Sequence, residues 1–520
     1  ESMMYYYQKQ TLGADYEQAL AGVMSKEIRK LAHDIKPILR ELLTKGLAAE
    51  GFVFDTAVAH YLLDATHGTH DLPVVTMQYL HFELPQDSKE ATLFSGAAAV
   101  EALYEPLKEK LKAQGVEKLY EEIEFPLCYV LANMEADGVR VDQKALHDFG
   151  AMLRDRIAAC EELIFSYSGE PFNINSTKQL GELLFNKLGL PPVKKTKSGY
   201  STNIDVLQKL ESQHPIIRAI MDYRELTKLN STYAEGLQKV IGDDGRIHTT
   251  FQNLVTATGR LSSTEPNLQN IPVRKELGSE IRKMFVPREG WVFVDADYSQ
   301  IELRVLAHIA GDKAMQQAFL SGEDFHRVTA SQVFNTPLDQ VTGQMRSNAK
   351  AVNFGIVYGI SEFSLAQDIG VSRYEAKAYI DSYLNKYHGV RAYMRDIVDT
   401  ARQQGFVSTT FGRRRYIPEI KSSNFNVRSG AERIALNTPI QGTAADIIKL
   451  AMVRVFRALE QEALQARLIL TVHDELIIEC PAYEAYMVMD MITREMENAV
   501  KLSVPLIAEA KMGESWFDAK

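Results

Sequence analysis

The chain has 520 residues, 46% of them hydrophobic and 24% charged, with a formal net charge of −10. That length exceeds a single core and calls for roughly three or four domains, and the composition excludes disordered, collagen-like and disulfide-framework classes. No apolar run approaches a membrane span, no secretory leader pattern opens the chain, and Cys128, Cys160 and Cys480 lack metal-ligand spacing, so a reducing, cytoplasmic setting is expected.

Residues 1–115 mix helical patterns with short β-like runs such as Gly51-Phe52-Val53-Phe54. Met3-Met4-Tyr5-Tyr6-Tyr7 reads as a strand whose earlier partners are missing. From 116 to about 240 the pattern is mainly helical. Ser176-Thr177-Lys178-Gln179 has the form of a capping box before Leu180, Leu183 and Leu184. A basic loop with Lys194, Lys195 and Lys197 lies between Pro191 and Thr202, and 216–237 is helical again. Gly245-Arg246-Ile247-His248 turns the chain into a strand-rich section that runs to about 310. Residues 313–460 are mostly helical, with Arg413-Arg414-Arg415 after Gly412, and the end returns to strands. Each basic cluster alone reads as a solvated face, although a basic groove can sit on an acidic protein because local contacts decide counterion release. Strands on both sides of a long helical insertion suggest one sheet built from distant pieces.

Two strand-like segments end in carboxylates. Trp291 to Val294 leads to Asp295 and Asp297, and an amphipathic helix pattern follows. Leu468 to Val472 leads to His473-Asp474-Glu475, after which Leu476-Ile477-Ile478 resumes the apolar run as a returning strand. Two such ends, if they meet, suit a two-metal phosphoryl-transfer site, because Mg²⁺ takes oxygen ligands and ions about 3.5–4 Å apart clamp the attacking and leaving oxygens. Solvated turns also collect acidic residues, so neither segment is decisive alone. Within the helical insertion, Arg346, Lys350, Phe354 and Tyr358 recur every four residues and share one broad helix face, cationic at one end and aromatic at the other. A nucleoside triphosphate has that polarity: cations neutralise phosphate charge and rings stack on a base. The competing reading is an ordinary core aromatic pair. Gly355 and Gly359 count against it, since they weaken the helix and leave room for something to approach the backbone.

These segments resemble the polymerase motifs of family A DNA polymerases, and the resemblance extends from about 120 to 520. It includes N-I-N-S-T-K-Q-L (173–180), K-K-T-K-S-G-Y-S-T (194–202), T-G-R-L-S-S-T-E-P-N-L-Q-N-I-P (258–272), V-D-A-D-Y-S-Q-I-E-L-R (294–304), D-F-H-R-V-T-A (324–330), G-R-R-R (412–415), N-T-P-I-Q-G-T-A-A-D-I-I (437–448) and T-V-H-D-E-L-I-I-E (471–479). The resemblance implies an α+β multidomain right hand. A degenerate 3′–5′ exonuclease-like α/β domain would cover 1–118, and a connecting segment and thumb 119–245. An antiparallel palm sheet would come from 246–312 and 450–520, with helical fingers at 313–449. It also implies a DNA-directed DNA polymerase of replication and repair that adds deoxynucleotides to a primer 3′-hydroxyl and releases pyrophosphate. The implied partners are primer–template DNA and deoxynucleoside triphosphates, the implied cofactor is two Mg²⁺ ions with Mn²⁺ as a substitute, and the implied setting is a bacterial, nucleoid-associated monomer with no membrane attachment.

Residue roles follow from the same resemblance. Asp297 and Asp474 would bind both metals, with the Tyr298 carbonyl as a further ligand and Glu475 as an accessory carboxylate. His326, Arg346 and Lys350 would hold the triphosphate, with Lys350 protonating pyrophosphate. Gln300 would join the nucleotide site. Glu302 would block a 2′-hydroxyl, Phe354 would discriminate against nucleotides lacking a 3′-hydroxyl, and Tyr358 would fill the nascent base-pair site until the fingers close. Arg260, Arg433, Asn437, Gln441 and His473 would hold primer–template, and Lys194, Lys195, Lys197, Arg413 and Arg414 would add basic DNA contacts.

The N-terminal part departs from the family pattern for an exonuclease. Asp15-Tyr16-Glu17 spells D-x-E but reads as a helix cap. Asp34-Ile35-Lys36-Pro37-Ile38 has an apolar residue where a metal-binding Asp should fall, and Phe94-Ser95-Gly96-Ala97-Ala98 lacks both Tyr and Asp. Asp55 survives, with a cap for the following helix as its alternative role. The expectation is a proofreading-dead remnant on a truncated or processed chain without a 5′-nuclease domain. Two other readings compete: a non-catalytic primer–template binder that keeps the fold, and a metal-dependent nuclease centred on the N-terminal domain.

Overall fold

Two short parallel strands, β1 (Lys30–Ala32) and β2 (Phe52–Asp55), stand in the N-terminal part. The computed structural model describes residues 20–85, 88–196, 199–272 and 276–520; the Met3–Tyr7 run, Asp15-Tyr16-Glu17 and Lys197 lie outside them. Parallel strands need a crossover, supplied by α1 (Ile35–Thr44), and α2 (Thr56–Leu63) follows β2 directly. The Asp55 carboxylate accepts hydrogen bonds from the N–H groups of Asp34 and Ile35 at 2.9 and 2.7 Å and of Ala57 and Val58 at 2.8 and 3.2 Å. Its capping role is therefore real and serves the starts of two helices at once. The 94–98 segment lies inside the long helix α3 (Lys89–Gln114). Leu39, Val58, Leu62, Leu103 and Leu107 belong to a core distinct from the main one.

Helix α4 (Phe125–Asp137) leads to α5 (Gln143–Ser168), which packs against α6 (Pro215–Leu229). The outer end of this pair closes over its own apolar cluster of Ile164, Leu184, Leu207, Ile217 and Ile220. Only half of the expected capping box forms here. Ser176 Oγ accepts from the Gln179 N–H at 3.4 Å, but the Gln179 side chain turns to accept from the Asn173 N–H at 2.8 Å. Lys194 and Lys195 stand exposed at a two-stranded hairpin in which Lys195 pairs with Tyr200.

The main sheet begins with β3 (Trp291–Tyr298), an eight-residue run rich in Val and aromatics that suits a central strand. A helical insertion follows, including α7 (Ile301–Ile309), α8 (Phe325–Val333), α9 (Gly343–Val357) and the 37-residue α10 (Phe425–Gln461). The chain then returns as β4 (Arg467–Val472), β5 (Glu475–Pro481), α11 (Ala485–Glu497) and β6 (Ala508–Gly513). The four strands form one antiparallel sheet in the order β4-β5-β3-β6, the sheet of distant pieces that the strand pattern suggested. Helices α4, α10 and α11 pack on it. One continuous apolar core runs from Leu127 through the sheet and the insertion to Ala519.

Candidate active site

The sheet register brings the two acidic strand ends together. Glu475 pairs with Asp297 across β5 and β3, so Asp474 stands at the hairpin tip beside the end of β3. The Tyr298 N–H donates to the Asp474 carbonyl at 3.2 Å and ties tip to strand. The hairpin turns in two residues, and His473 adopts a φ of 57°, the left-handed value such a tight turn demands. Gln300, at the junction of β3 and α7, takes a φ of 56° in the same way. Asp297 Oδ1 is buried without a hydrogen-bond partner. Burial, with the neighbouring Asp474 carboxyl second, pushes Asp297 up to about 6. Burial raises Asp474 as well, and pushes Asp295, which lies deeper on the same strand, up to about 7. Carboxylates held this close in a part-desolvated place favour a proton or a metal cation between them.

A cavity of about 680 Å³ opens over these strand ends. Asp297, Tyr298, Gln300, Glu302, His473 and Asp474 line it, and so do Arg260, His326, Arg346, Lys350, Phe354 and Tyr358. The four-residue ladder thus lines the same cavity as the two aspartates. Arg346 is held by Asp324, its Nη2 2.7 Å from Oδ2. Asp324 in turn caps α8, accepting from the Arg327 N–H at 3.0 Å. The tautomer of His326 follows from its neighbours. Thr329 donates to Asn353 Oδ1 at 3.3 Å, so the Asn353 amide group faces His326 Nδ1 at 3.0 Å, and the ring proton sits on Nε2. Burial lowers His326 to about 4, so the imidazole is a neutral donor at working pH. Tyr358 donates to Glu302 Oε2 at 3.1 Å, and Arg260 pairs with the other Glu302 oxygen.

Several expectations are corrected. Gly355 and Gly359 do not leave room for a visitor: a Cβ at Gly355 would meet Ile360 at 2.6 Å and one at Gly359 would meet Arg433 at 3.2 Å, so their space is taken by the chain's own turn and by α10. Arg413 is not a surface DNA contact. It is 2% exposed, its Nη2 lies 2.6 Å from Asp446 Oδ1, and it also pairs with Glu124. Arg414 lies part-buried, donating to the Gln114 carbonyl at 3.1 Å and stacking 4.7 Å from the Phe406 ring. Glu475 is buried beneath the site, with Arg282 at 3.4 Å and Lys520 on its other oxygen. Arg433, Asn437 and Gln441 share one face of α10 at four-residue spacing, and Arg433 touches the turn that ends α9. Sequence reasoning missed Gln269, Ser299, Lys449 and Glu509, all of which line the cavity. Glu509 is set opposite Asp297 by the pairing of β6 with β3, a pairing of distant segments that no local sequence signal gives.

Residues 143–518 match the model of DNA polymerase family A. The chain is 46% identical to DNA polymerase I of Bacillus subtilis (strain 168), over 99% of this chain and 61% of that protein. It is 48% identical to DNA polymerase I of Geobacillus stearothermophilus, over 96% of this chain and 59% of that protein. It therefore spans about three fifths of the length of the curated relatives it matches. Among solved structures, the POL domain of Pol1 from M. smegmatis in complex with DNA primer-template and dNTP superposes with a TM-score of 0.93 at 41% identity, covering 99% of this chain and 91% of that one. With the family match spanning most of the chain and the fold shared almost throughout, the chain belongs to DNA polymerase family A.

Proposed function

We propose that this chain is a template-directed DNA polymerase that adds deoxynucleotides to a primer 3′-hydroxyl and releases pyrophosphate. One observation carries the reading: Asp297 and Asp474 share a single cavity with the cationic and aromatic ladder of α9. Phosphoryl transfer needs a cation site at the reacting oxygens and anion-holding groups around the leaving phosphates. The Asp297 and Asp474 carboxylates with the Tyr298 carbonyl make an all-oxygen donor set, and the orphaned Asp297 Oδ1 fits a hard cation. Two Mg²⁺ ions held there would supply Lewis-acid activation of the hydroxyl and neutralise charge on the phosphates.

The rest falls to the chain's own groups. Arg346, Lys350 and the Nε2–H of His326 hold the triphosphate, and Lys350 is the proton donor to departing pyrophosphate. Phe354 and Tyr358 offer stacking faces to sugar and base, and Glu302 closes the space a 2′-hydroxyl would need. Tyr358 releases Glu302 when nucleotide enters, and Arg346 exchanges part of its Asp324 contact for phosphate. Arg260, Arg433, Asn437, Gln441 and His473 grip primer–template, and Lys194 and Lys195 track its phosphates. The M. smegmatis relative was solved with primer-template and dNTP, which supports this substrate class. The N-terminal unit is read as structural: the Asp55 carboxylate is occupied by backbone N–H groups, and Lys36 pairs with Glu135 at 2.5 Å.

Primer extension with Mg²⁺ and deoxynucleotides tests the reading. The unaltered chain is expected to extend a primer, and Asp474→Ala to lose on the order of 10³-fold in rate or more. A folded, unaltered chain that extends nothing would sink it.

A further inference from the structure

Beneath the site aspartates lies a layer of charge that the proposed reaction does not use. Asp295 is 4% exposed, and neither of its carboxylate oxygens has a hydrogen-bond partner. Glu475, across the sheet from Asp297, is equally buried. Two cations meet this layer. Arg282 approaches Glu475 Oε1 at 3.4 Å and stacks 4.0 Å from the Trp516 ring. The Lys520 ammonium pairs with Glu475 Oε2.

Lys520 is brought there by a built turn. After β6 the chain reverses at Gly513, where a Cβ would run into Asp518 and Ala519. Trp516 is 1% exposed, donates its backbone N–H to the Phe285 carbonyl at 3.0 Å and packs edge-on against the Phe285 ring. Ser515 Oγ donates to Asp518 at 2.6 Å, and Lys511 Nζ donates to the Lys520 carbonyl at 3.0 Å. The Lys520 backbone is thus held at its N–H, 3.4 Å from the Phe517 carbonyl, and at its own carbonyl. The side chain's partner, Glu475, follows Asp474 in the chain and stands opposite Asp297 across the sheet.

We propose that Lys520 is a positioning residue of the metal site, a tethered counter-ion that compensates the carboxylate layer under Asp297 and Asp474 and thereby sets the site's affinity for divalent cations. The proposal rests on the metal-site reading given above. A fixed positive charge paired with Glu475, next to Asp474 and opposite Asp297, repels an arriving cation and so holds the site's affinity below what the carboxylates alone would give.

The experiment is a Mn²⁺ titration of the free protein at pH 8, without DNA or nucleotide, read from the electron paramagnetic resonance signal of unbound Mn²⁺. Lys520→Met keeps the stem and removes the charge, and about tenfold tighter Mn²⁺ binding is expected. Lys520→Arg is expected to restore the unaltered affinity, and Lys520→Gln serves as the neutral variant if Lys520→Met does not fold. A residue that only closes the turn would lower the melting temperature and leave Mn²⁺ affinity alone. Unchanged or weaker Mn²⁺ binding by the neutral variant therefore overturns the proposal. If the unaltered chain binds no Mn²⁺, the metal-site reading itself fails and takes this inference with it.

Discussion

Asp297 shows how one residue carries opposed demands. Its carboxyl sits where burial and Asp474 push it up to about 6, and Asp295 is pushed up to about 7, both from an ordinary value near 3.8. Raised acids hold protons more tightly folded than unfolded. Their stabilising contribution is complete below about pH 4 and is lost as pH rises through 6 to 7. Without divalent cations, then, the stability owed to these groups falls between pH 4 and 7. Asp297→Asn is expected to raise metal-free stability at pH 8 by roughly 1–2 kcal/mol while abolishing primer extension. Urea melts in chelator at pH 5 and pH 8 check this. A variant no more stable than the unaltered chain at pH 8 would show that the site stores no such repulsion.

At the scale of elements, α9 and α10 depend on contacts outside themselves. The C-terminal end of α9 turns back through Ile360, whose N–H donates to the Gly355 carbonyl at 2.8 Å, and Gly359 takes a φ of 65°. Helix α10 carries Asp446 and Lys449 into a buried cluster with Arg413 and Glu124, where Lys449 Nζ lies 2.7 Å from Glu124 Oε1. The cluster joins α10 to the hairpin of Phe406–Ser408 and Arg414–Tyr416 and to the segment before α4. Arg413→Ala would leave two buried carboxylates with one lysine between them, an expected loss of about 3–5 kcal/mol in denaturant unfolding. Arg413→Lys should recover only part of it, because one ammonium cannot reproduce the paired contacts of a guanidinium. Full recovery by lysine would mean that charge alone matters there.

Across the whole molecule, two cores meet at a few polar links. Glu135 on α4 takes Lys36 at 2.5 Å and Arg40 at 3.7 Å from α1, and also accepts from the Phe251 N–H at 2.8 Å. Tyr61 donates to the Thr256 carbonyl at 2.8 Å. The N-terminal unit is thus docked through buried polar contacts as well as packing. Lys36→Met is expected to cost up to about 3 kcal/mol, limited by the remaining Arg40 contact. Limited proteolysis should then cut between the two units sooner than in the unaltered chain, and an unchanged cleavage pattern would count against docking by this pair. Among the described residues, no helix is long and apolar enough to cross a membrane.

The local elements are written in short stretches of chain: strands that end in Asp297 and Asp474, a helix with Arg346, Lys350 and Phe354 on one face, and the Asp55 cap. Periodicity and turn chemistry encode which way a side chain points along its own element, so these were legible. What that side chain then meets is decided by chain segments far away in sequence. That β3 and β5 lie side by side and bring the two aspartates together is set by contacts between segments far apart in the chain. Arg413 reads as part of a basic run, yet its partner Glu124 lies 289 positions away and takes it into the interior. Gly355 and Gly359 read as open space, and that space is filled by Ile360 and Arg433. Lys520 carries no local signal at all, since its place beside Glu475 depends on the fold of Trp516 against Phe285.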